Sequence, residues 1–249
     1  MIEVRAEMVR HTLTSLHWDF TGRAGTRPPV RYHSLRVTMI LMYHKVAPET
    51  PTMWWVAPEV FARQLESLRH RRFVYLDDYS SPDTEAVVTF DDAYENVHRY
   101  ALPVLAAQSI PFEVFVIGNR VGAWNEWDPG EPPTRHMTDA QLQDVVRSQG
   151  RLQWHTHSHP ELNLVETVDI ERELQVPADL RRRFEPPHFT WFSYPGGSFD
   201  SRVLRLARQH FAGAVSVFQG DESDRWQLNR FEVLRDTPSV IPDSSRPCL

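Results

Sequence analysis

From residue 36 onward the chain alternates short apolar runs with stretches whose apolar positions recur every three or four residues. The runs RVTMILMYH (36–44), FVYL (73–76), EAVVTF (85–90), FEVFVIG (112–118), RLQW (151–154), FTWFSY (189–194) and GAVSVF (213–218) predict strands. Between them, Val60, Phe61, Leu65 and Leu68 recur at helical spacing behind Pro58, predicting a helix over 58–71. Val97, Tyr100, Ala101, Val104 and Leu105 predict another over 94–108, bent by Pro103. Thr138 has the chemistry of an N-cap for a third helix, 170–184 reads as mostly helical, and 202–210 as a further helix. Residues 1–35, which include the Gly/Pro/Arg-rich TGRAGTRPPVRYH, show no period and read as an N-terminal arm.

Strands alternating with helices imply a parallel sheet, and this many units without a linker imply one α/β domain of the β/α-barrel type over 36–249. Composition supports a packed core: 41% hydrophobic and 24% charged residues in 249. A net charge of −6 speaks against a general nucleic-acid binder. No apolar run approaches a membrane span, and the N-terminus has no signal-peptide core, so a cytoplasmic protein is expected. The one cysteine, Cys248, has no internal disulfide partner.

Polar clusters collect at the ends of predicted strands: Tyr43-His44, Asp91-Asp92, His155-Thr156-His157-Ser158-His159 and Ser193-Tyr194-Pro195-Gly196-Gly197. In a β/α barrel that rim is where active sites are built. His155 and His159 are spaced to share one metal ion; in an extended segment His157 would join them, and a solvated histidine-rich loop is the plain alternative. Two adjacent acids at a strand end can serve one site with separate jobs. One carboxylate binds a cation, and the other stays free as a base toward water. An N-cap role would account for one acid only.

TFDDAYENV, HTHSHPEL and FSYPGGSFD, in this order, resemble the motifs of the polysaccharide deacetylases (NodB homology, carbohydrate esterase family 4). LMYHKV and RWQLNRFEVLR resemble the opening and closing segments of the poly-N-acetylglucosamine deacetylase-like subgroup, so the likeness runs roughly from Met39 to Arg235. The resemblance implies a distorted (β/α)7 barrel that hydrolyses an N-acyl amide on an amino sugar. It implies Asp91 as general base, His44 as general acid, and Asp92, His155 and His159 as ligands of one divalent metal ion, zinc first, with cobalt, nickel or iron as alternatives. Tyr194, Pro195, Gly196 and Gly197 would face the substrate, with a backbone N–H of that turn aiding the oxyanion. His44 is expected to give its proton to the amine near neutral pH.

The sequence also departs from the family. Ala93 replaces the glycine after the two acids, so a turn of the kind only glycine tolerates is not expected there. Gly196 replaces an aromatic, no C-terminal leucine-histidine motif is present, and the arginine that often precedes the aromatic turn is missing, so the base is expected to be oriented differently. Tyr43 is expected to pack. Trp124 and Trp127 sit in a loop where they either stack on a sugar or anchor a lid. His98, His136, His188 and His210 read as surface or core histidines, Trp191 as core, and 179–183 as a solvated helix face.

The expected activity is removal of an acetyl or formyl group from a small or carrier-linked amino sugar. An exported polymer deacetylase and an idle sugar-binding barrel are the alternatives; the intact acid–histidine set speaks against idleness.

Overall fold

The computed structural model describes residues 16–18, 24–26, 38–217 and 220–241. The chain divides into two units, Met1–Arg36 and Val37–Leu249. In the first, β1 (Leu16–Trp18) and β2 (Ala24–Thr26) pair antiparallel, Leu16 opposite Thr26. Three residues are too few to reveal a two-residue period, which is why the sequence pattern shows no strand there. The remainder of the predicted arm, the start of the 36–44 strand, Phe218 and Cys248 lie outside the described residues.

The second unit runs β3 (Ile40–Tyr43), β4 (Lys45–Val46), β5 (Trp55–Val56), α1 (Pro58–Ser67), β6 (Arg72–Phe73), β7 (Glu85–Phe90), α2 (Leu102–Gln108), β8 (Phe112–Val116), α3 (Asp139–Arg147), β9 (Gly150–Trp154), α4 (Thr167–Leu174), α5 (Ala178–Arg183), β10 (Trp191–Ser193), α6 (Ser201–His210), β11 (Gly213–Val215) and β12 (Phe231–Glu232). The main sheet has the order β11-β10-β9-β8-β7-β3-β12, with β6 beside the start of β7. Every neighbouring pair is parallel.

The two ends of this order meet. Leu228 bridges to Val215, and the Ser216 N–H donates to the Leu228 carbonyl at 2.7 Å. Three residues later Phe231 pairs with Leu41 of β3. The segment that begins beside β11 therefore ends beside β3 and curls the seven strands into the distorted (β/α)7 barrel that the family likeness implies.

Alternation along the strands sorts side chains into two layers. Leu41, Val88, Val114, Leu152, Phe192 and Ala214 pack outward against Phe61 and Leu65 of α1, Leu142 of α3 and Val203 of α6. Ile40, Val87, Phe115, Trp191 and Val215 form a smaller inner cluster. The parity that turns Val87 inward also turns Thr89 inward, and the parity of Trp191 turns Ser193 inward. A polar layer thus caps the apolar interior at the strand ends.

Several helices differ from the pattern-based expectation. Residues 94–108 contain a π-helical turn, Val97–Ala101, before α2, with Pro103 in the first turn of α2. Pro103 has no N–H for the regular ladder, and the wider turn sits where that bond is missing. The expected 170–184 helix is two helices, α4 and α5. The chain leaves α4 in extended backbone at Gln175, and Pro177, which disfavours helical geometry in the residue before it, separates the two. Thr138 does cap α3, in a full capping box with Gln141. Among the described residues no helix is long and apolar enough to cross a membrane.

Candidate active site

Four strands bring the candidate residues together at one rim of the barrel: Asp91 and Asp92 follow β7, His155 and His159 follow β9, His44 follows β3, and Arg230 precedes β12. Asp91 follows β7 and is buried. Arg230, immediately before β12 and fully buried at its side chain, donates from Nη1 to Asp91 Oδ1 at 2.7 Å and from Nη2 to Asp91 Oδ2 at 2.6 Å. The Ser193 hydroxyl donates to the same Oδ2 at 3.2 Å, and Thr89 and the Ser216 carbonyl accept from the guanidinium. Burial alone would raise the Asp91 carboxyl; the Arg230 charge and then His155 override it and hold it well below the usual carboxylate range. Asp91 is an ionised carboxylate in a fixed orientation, with lone pairs still available.

Asp92 lives in the opposite environment. Burial first, and the Asp91 charge second, push its carboxyl well above the usual range. Its Oδ1 is buried and has no hydrogen-bond partner. That oxygen lies 3.5 Å from His155 Nε2 and 3.6 Å from His159 Nε2, and the two imidazole nitrogens are 3.2 Å apart. The Nδ1–H of His155 is given to the Ser193 carbonyl at 2.8 Å, which fixes the tautomer and leaves Nε2 as a lone pair. Burial lowers both histidines, with each other's proximity adding to the effect at His159. Two neutral imidazoles and an orphaned carboxyl oxygen facing one another suit a divalent cation, whose charge would reverse the upward push on Asp92. Asp92, His155 and His159 are the group of the described residues arranged to hold a metal ion.

His157 stands apart from this group. Left-handed backbone at Thr156 (φ 67°) and His159 (φ 66°) breaks the extended path that would have aligned all three histidines. The Thr156 hydroxyl accepts from the His159 N–H, and Glu173 takes both the N–H and the hydroxyl of Ser158. The His157 ring instead lies beside Gly118, where an added Cβ would come within 3.2 Å of its Nδ1.

The turn after β7 corrects the expectation drawn from Ala93. Asp92 (φ 68°) and Ala93 (φ 54°) are both left-handed, so the backbone keeps a glycine-type turn without a glycine. Bonds from one neighbouring segment offset the strain: Met137 N–H donates to the Ala93 carbonyl at 2.7 Å, and His136 Nδ1 is 2.6 Å from the Asp92 carbonyl.

His44 follows β3 with its ring 4.6 Å from the Trp54 ring, and its Nδ1 is buried without a partner. Burial lowers it to about 3, against an opposing pull from Asp91. Burial thus favours the neutral imidazole at rest near pH 7. The next residue, Lys45, is also buried; its Nζ lies 2.9 Å from Glu131 Oε2, 3.7 Å from Asp128 and 4.1 Å above the Tyr94 ring. Together with Trp55, whose indole N–H also reaches Glu131, it fastens the 118–136 loop to the rim.

In the Ser193–Gly197 turn, Tyr194 points outward by the parity of its strand. Its ring packs on Phe192 and Phe199 and its hydroxyl donates to the Trp226 carbonyl. The Tyr194 and Gly197 N–H groups are given to Val215 and Tyr194 carbonyls, and Pro195 has none, so the oxyanion expectation narrows to Gly196. Tyr43 packs on Phe61 and Phe90 as expected. Arg230, Lys45 and His136 are the site residues that the sequence pattern did not single out; lone basic residues in loops and on a two-residue strand give no periodic signal.

The geometry agrees with the comparisons. The family model for polysaccharide deacetylase matches residues 78–214. YxkH of Bacillus subtilis, whose name places it among polysaccharide deacetylases, is 24% identical over 195 residues, 77% of this chain and 64% of its own length. This chain thus spans less than two thirds of that relative. Among solved structures, the Streptococcus pyogenes deacetylase PplD in complex with acetate superposes with a TM-score of 0.68 at 21% identity, over 82% of this chain and 95% of that one. IcaB from Ammonifex degensii superposes at 0.66 with 25% identity, over 81% and 94%. A family match over more than half of the 249 residues, on a barrel of the same fold, settles the assignment: this chain belongs to the polysaccharide deacetylase family.

Proposed function

We propose that this protein removes the N-acetyl group from an amino sugar by hydrolysis that depends on a divalent metal ion. The observation that carries this reading is the division between the two adjacent acids. Asp91 is locked as an anion by Arg230, while Asp92 presents an unpartnered oxygen to two neutral imidazoles. A binding module has no use for the first of these.

Asp92 Oδ1, His155 Nε2 and His159 Nε2 would hold the ion. When bound, it supplies Lewis-acid polarisation and eases deprotonation of a water. Asp91 takes the proton as water adds to the acyl carbon, and Arg230 and Ser193 keep its carboxylate aimed. The C–N bond then breaks, giving acetate and an amine whose nitrogen needs a proton. His44, at the same rim and within electrostatic reach of Asp91 and His155, is the donor in this reading. Neutral at rest, it takes up the proton that Asp91 drew from the water and passes it to the departing nitrogen, which returns Asp91 to its carboxylate form. Gly196, at φ 62° and exposed, is the member of the 194–197 turn left to support the oxyanion.

Free-amine release from N-acetylglucosamine oligomers, with and without one equivalent of Zn2+ or Co2+, tests the reading. Release that requires the ion and stops on chelation is expected. A metal-loaded, folded protein that binds the oligomers and releases no amine would instead support an idle sugar-binding barrel.

A further inference from the structure

His136 is a buried histidine that lies outside every motif of the sequence. It is placed between the two halves of the proposed metal site. Its Nδ1 is 2.6 Å from the backbone carbonyl of Asp92, and its Nε2 is 3.3 Å from the indole nitrogen of Trp127. A carbonyl only accepts and an indole N–H only donates, so one neutral tautomer, with the hydrogen on Nδ1, satisfies both. The Trp127 ring in turn lies 4.1 Å, centroid to centroid, from the imidazole of His159. Tyr94 also stacks on His136, at 4.6 Å and 18°.

The bond to Asp92 acts on strained backbone. Asp92 and Ala93 are consecutive left-handed residues, and their two carbonyls are held by the His136 side chain and the Met137 N–H respectively. Residues 135–137 are themselves bound to this turn, through the Tyr94–His136 bridge and the Glu95 N–H to the Arg135 carbonyl at 2.8 Å. The 118–136 loop that brings Trp127 is fastened by Lys45 through Asp128 and Glu131.

We infer that His136 is a positioning residue that couples the Asp92 turn to the His159 ring through Trp127, so that the carboxylate and the second imidazole are set at a common distance before any ion arrives. This inference rests on the proposed metal site. Partners of this kind typically change metal affinity by about 10–100-fold when removed.

The test is competition between the full-length protein and a chelator for Co2+, read by cobalt's visible absorption, with thermal unfolding of each metal-free variant in parallel. His136→Ala should weaken cobalt binding by about 10–100-fold and alter the absorption spectrum. His136→Asn, which places an amide N–H where Nδ1–H stands, should recover most of the loss. His136→Gln, which keeps an acceptor for Trp127 but not the bond to Asp92, should recover less. Cobalt affinity within about twofold of wild type in His136→Ala, with an unchanged spectrum, would overturn the coupling. Should the alanine variant not fold, the other two decide: about tenfold in favour of Asn upholds it, and equal affinities overturn it. Wild-type protein that takes up no cobalt would overturn the metal site itself, which is a different result.

Discussion

Arg230 grips both oxygens of Asp91 from the far end of the chain, at 2.7 and 2.6 Å, with neither group open to solvent. Removing one partner of such a pair strands a buried charge. Arg230→Gln should lower stability by about 3–5 kcal/mol at pH 7, measured by urea unfolding. The folded-state pKa of Asp91 is depressed, so this contribution is present above its unfolded value of about 3.9 and is lost as pH falls through the folded one. The gap between wild type and variant should therefore narrow below about pH 4. A gap that stays constant from pH 7 to pH 3 would mean that the arginine stabilises by packing alone.

The neighbouring acid carries the opposite sign. The folded-state pKa of Asp92 is raised, so in metal-free protein its contribution is full below about 3.9 and is lost as pH rises through the folded value. Metal-free Asp92→Asn should escape that loss and be at least as stable as wild type at pH 8. An ion at a hundred times its Kd should stabilise wild type and Asp91→Asn by about 2.7 kcal/mol and leave Asp92→Asn unchanged. Asp91→Asn should keep the metal while kcat drops by about 10²–10⁴-fold. Equal metal loss in the two variants, by elemental analysis, would sink the division of labour.

For His44 the discriminating measurement is substrate chemistry. His44→Gln should leave metal content and folding intact and strongly reduce kcat on amide substrates. On a nitrophenyl acetate, whose leaving group needs no proton, the loss should be much smaller. Equal losses on both substrates would return His44 to a structural role against Trp54.

Ala93 offers a test of stored strain. A left-handed conformation costs an L-residue about 1–2 kcal/mol, partly offset on substitution by the greater freedom of glycine in the unfolded chain. Ala93→Gly should therefore raise stability by up to about 1 kcal/mol, seen as a higher Tm, with metal binding retained. A lower Tm would show that the buried Ala93 methyl contributes more through packing than its backbone loses.

What could be read from the sequence tracks how locally each feature is encoded. The strand at 85–90 was legible to the residue because all six of its side chains are buried and the acids that follow end the pattern sharply. Asp91, Asp92, His155 and His159 were legible because β7 and β9 end there and each cluster is contiguous. Tyr194 was grouped with the substrate face by proximity, although the parity of Ser193 already turned it outward. Arg230 was hidden: its partner lies 139 positions earlier, the strand that follows it is two residues long, and it is one of 27 basic residues. His136 was hidden for a similar reason, since its role comes from a backbone carbonyl that carries no sequence signature.

The late position of the closing strand has a consequence for how the protein comes into being. A chain emerging from its N-terminus presents Asp91, Asp92, His155 and His159 long before Arg230 is available to meet them. Until then the interior holds a carboxylate with no counter-charge, which disfavours a sealed barrel. The seam at Leu228 and the guanidinium at Arg230 arrive together. The last stave and the counter-charge of the base are thus supplied by one segment, and a fragment cut at the end of the family match, residue 214, would carry every proposed metal ligand and still lack the residue that sets its base.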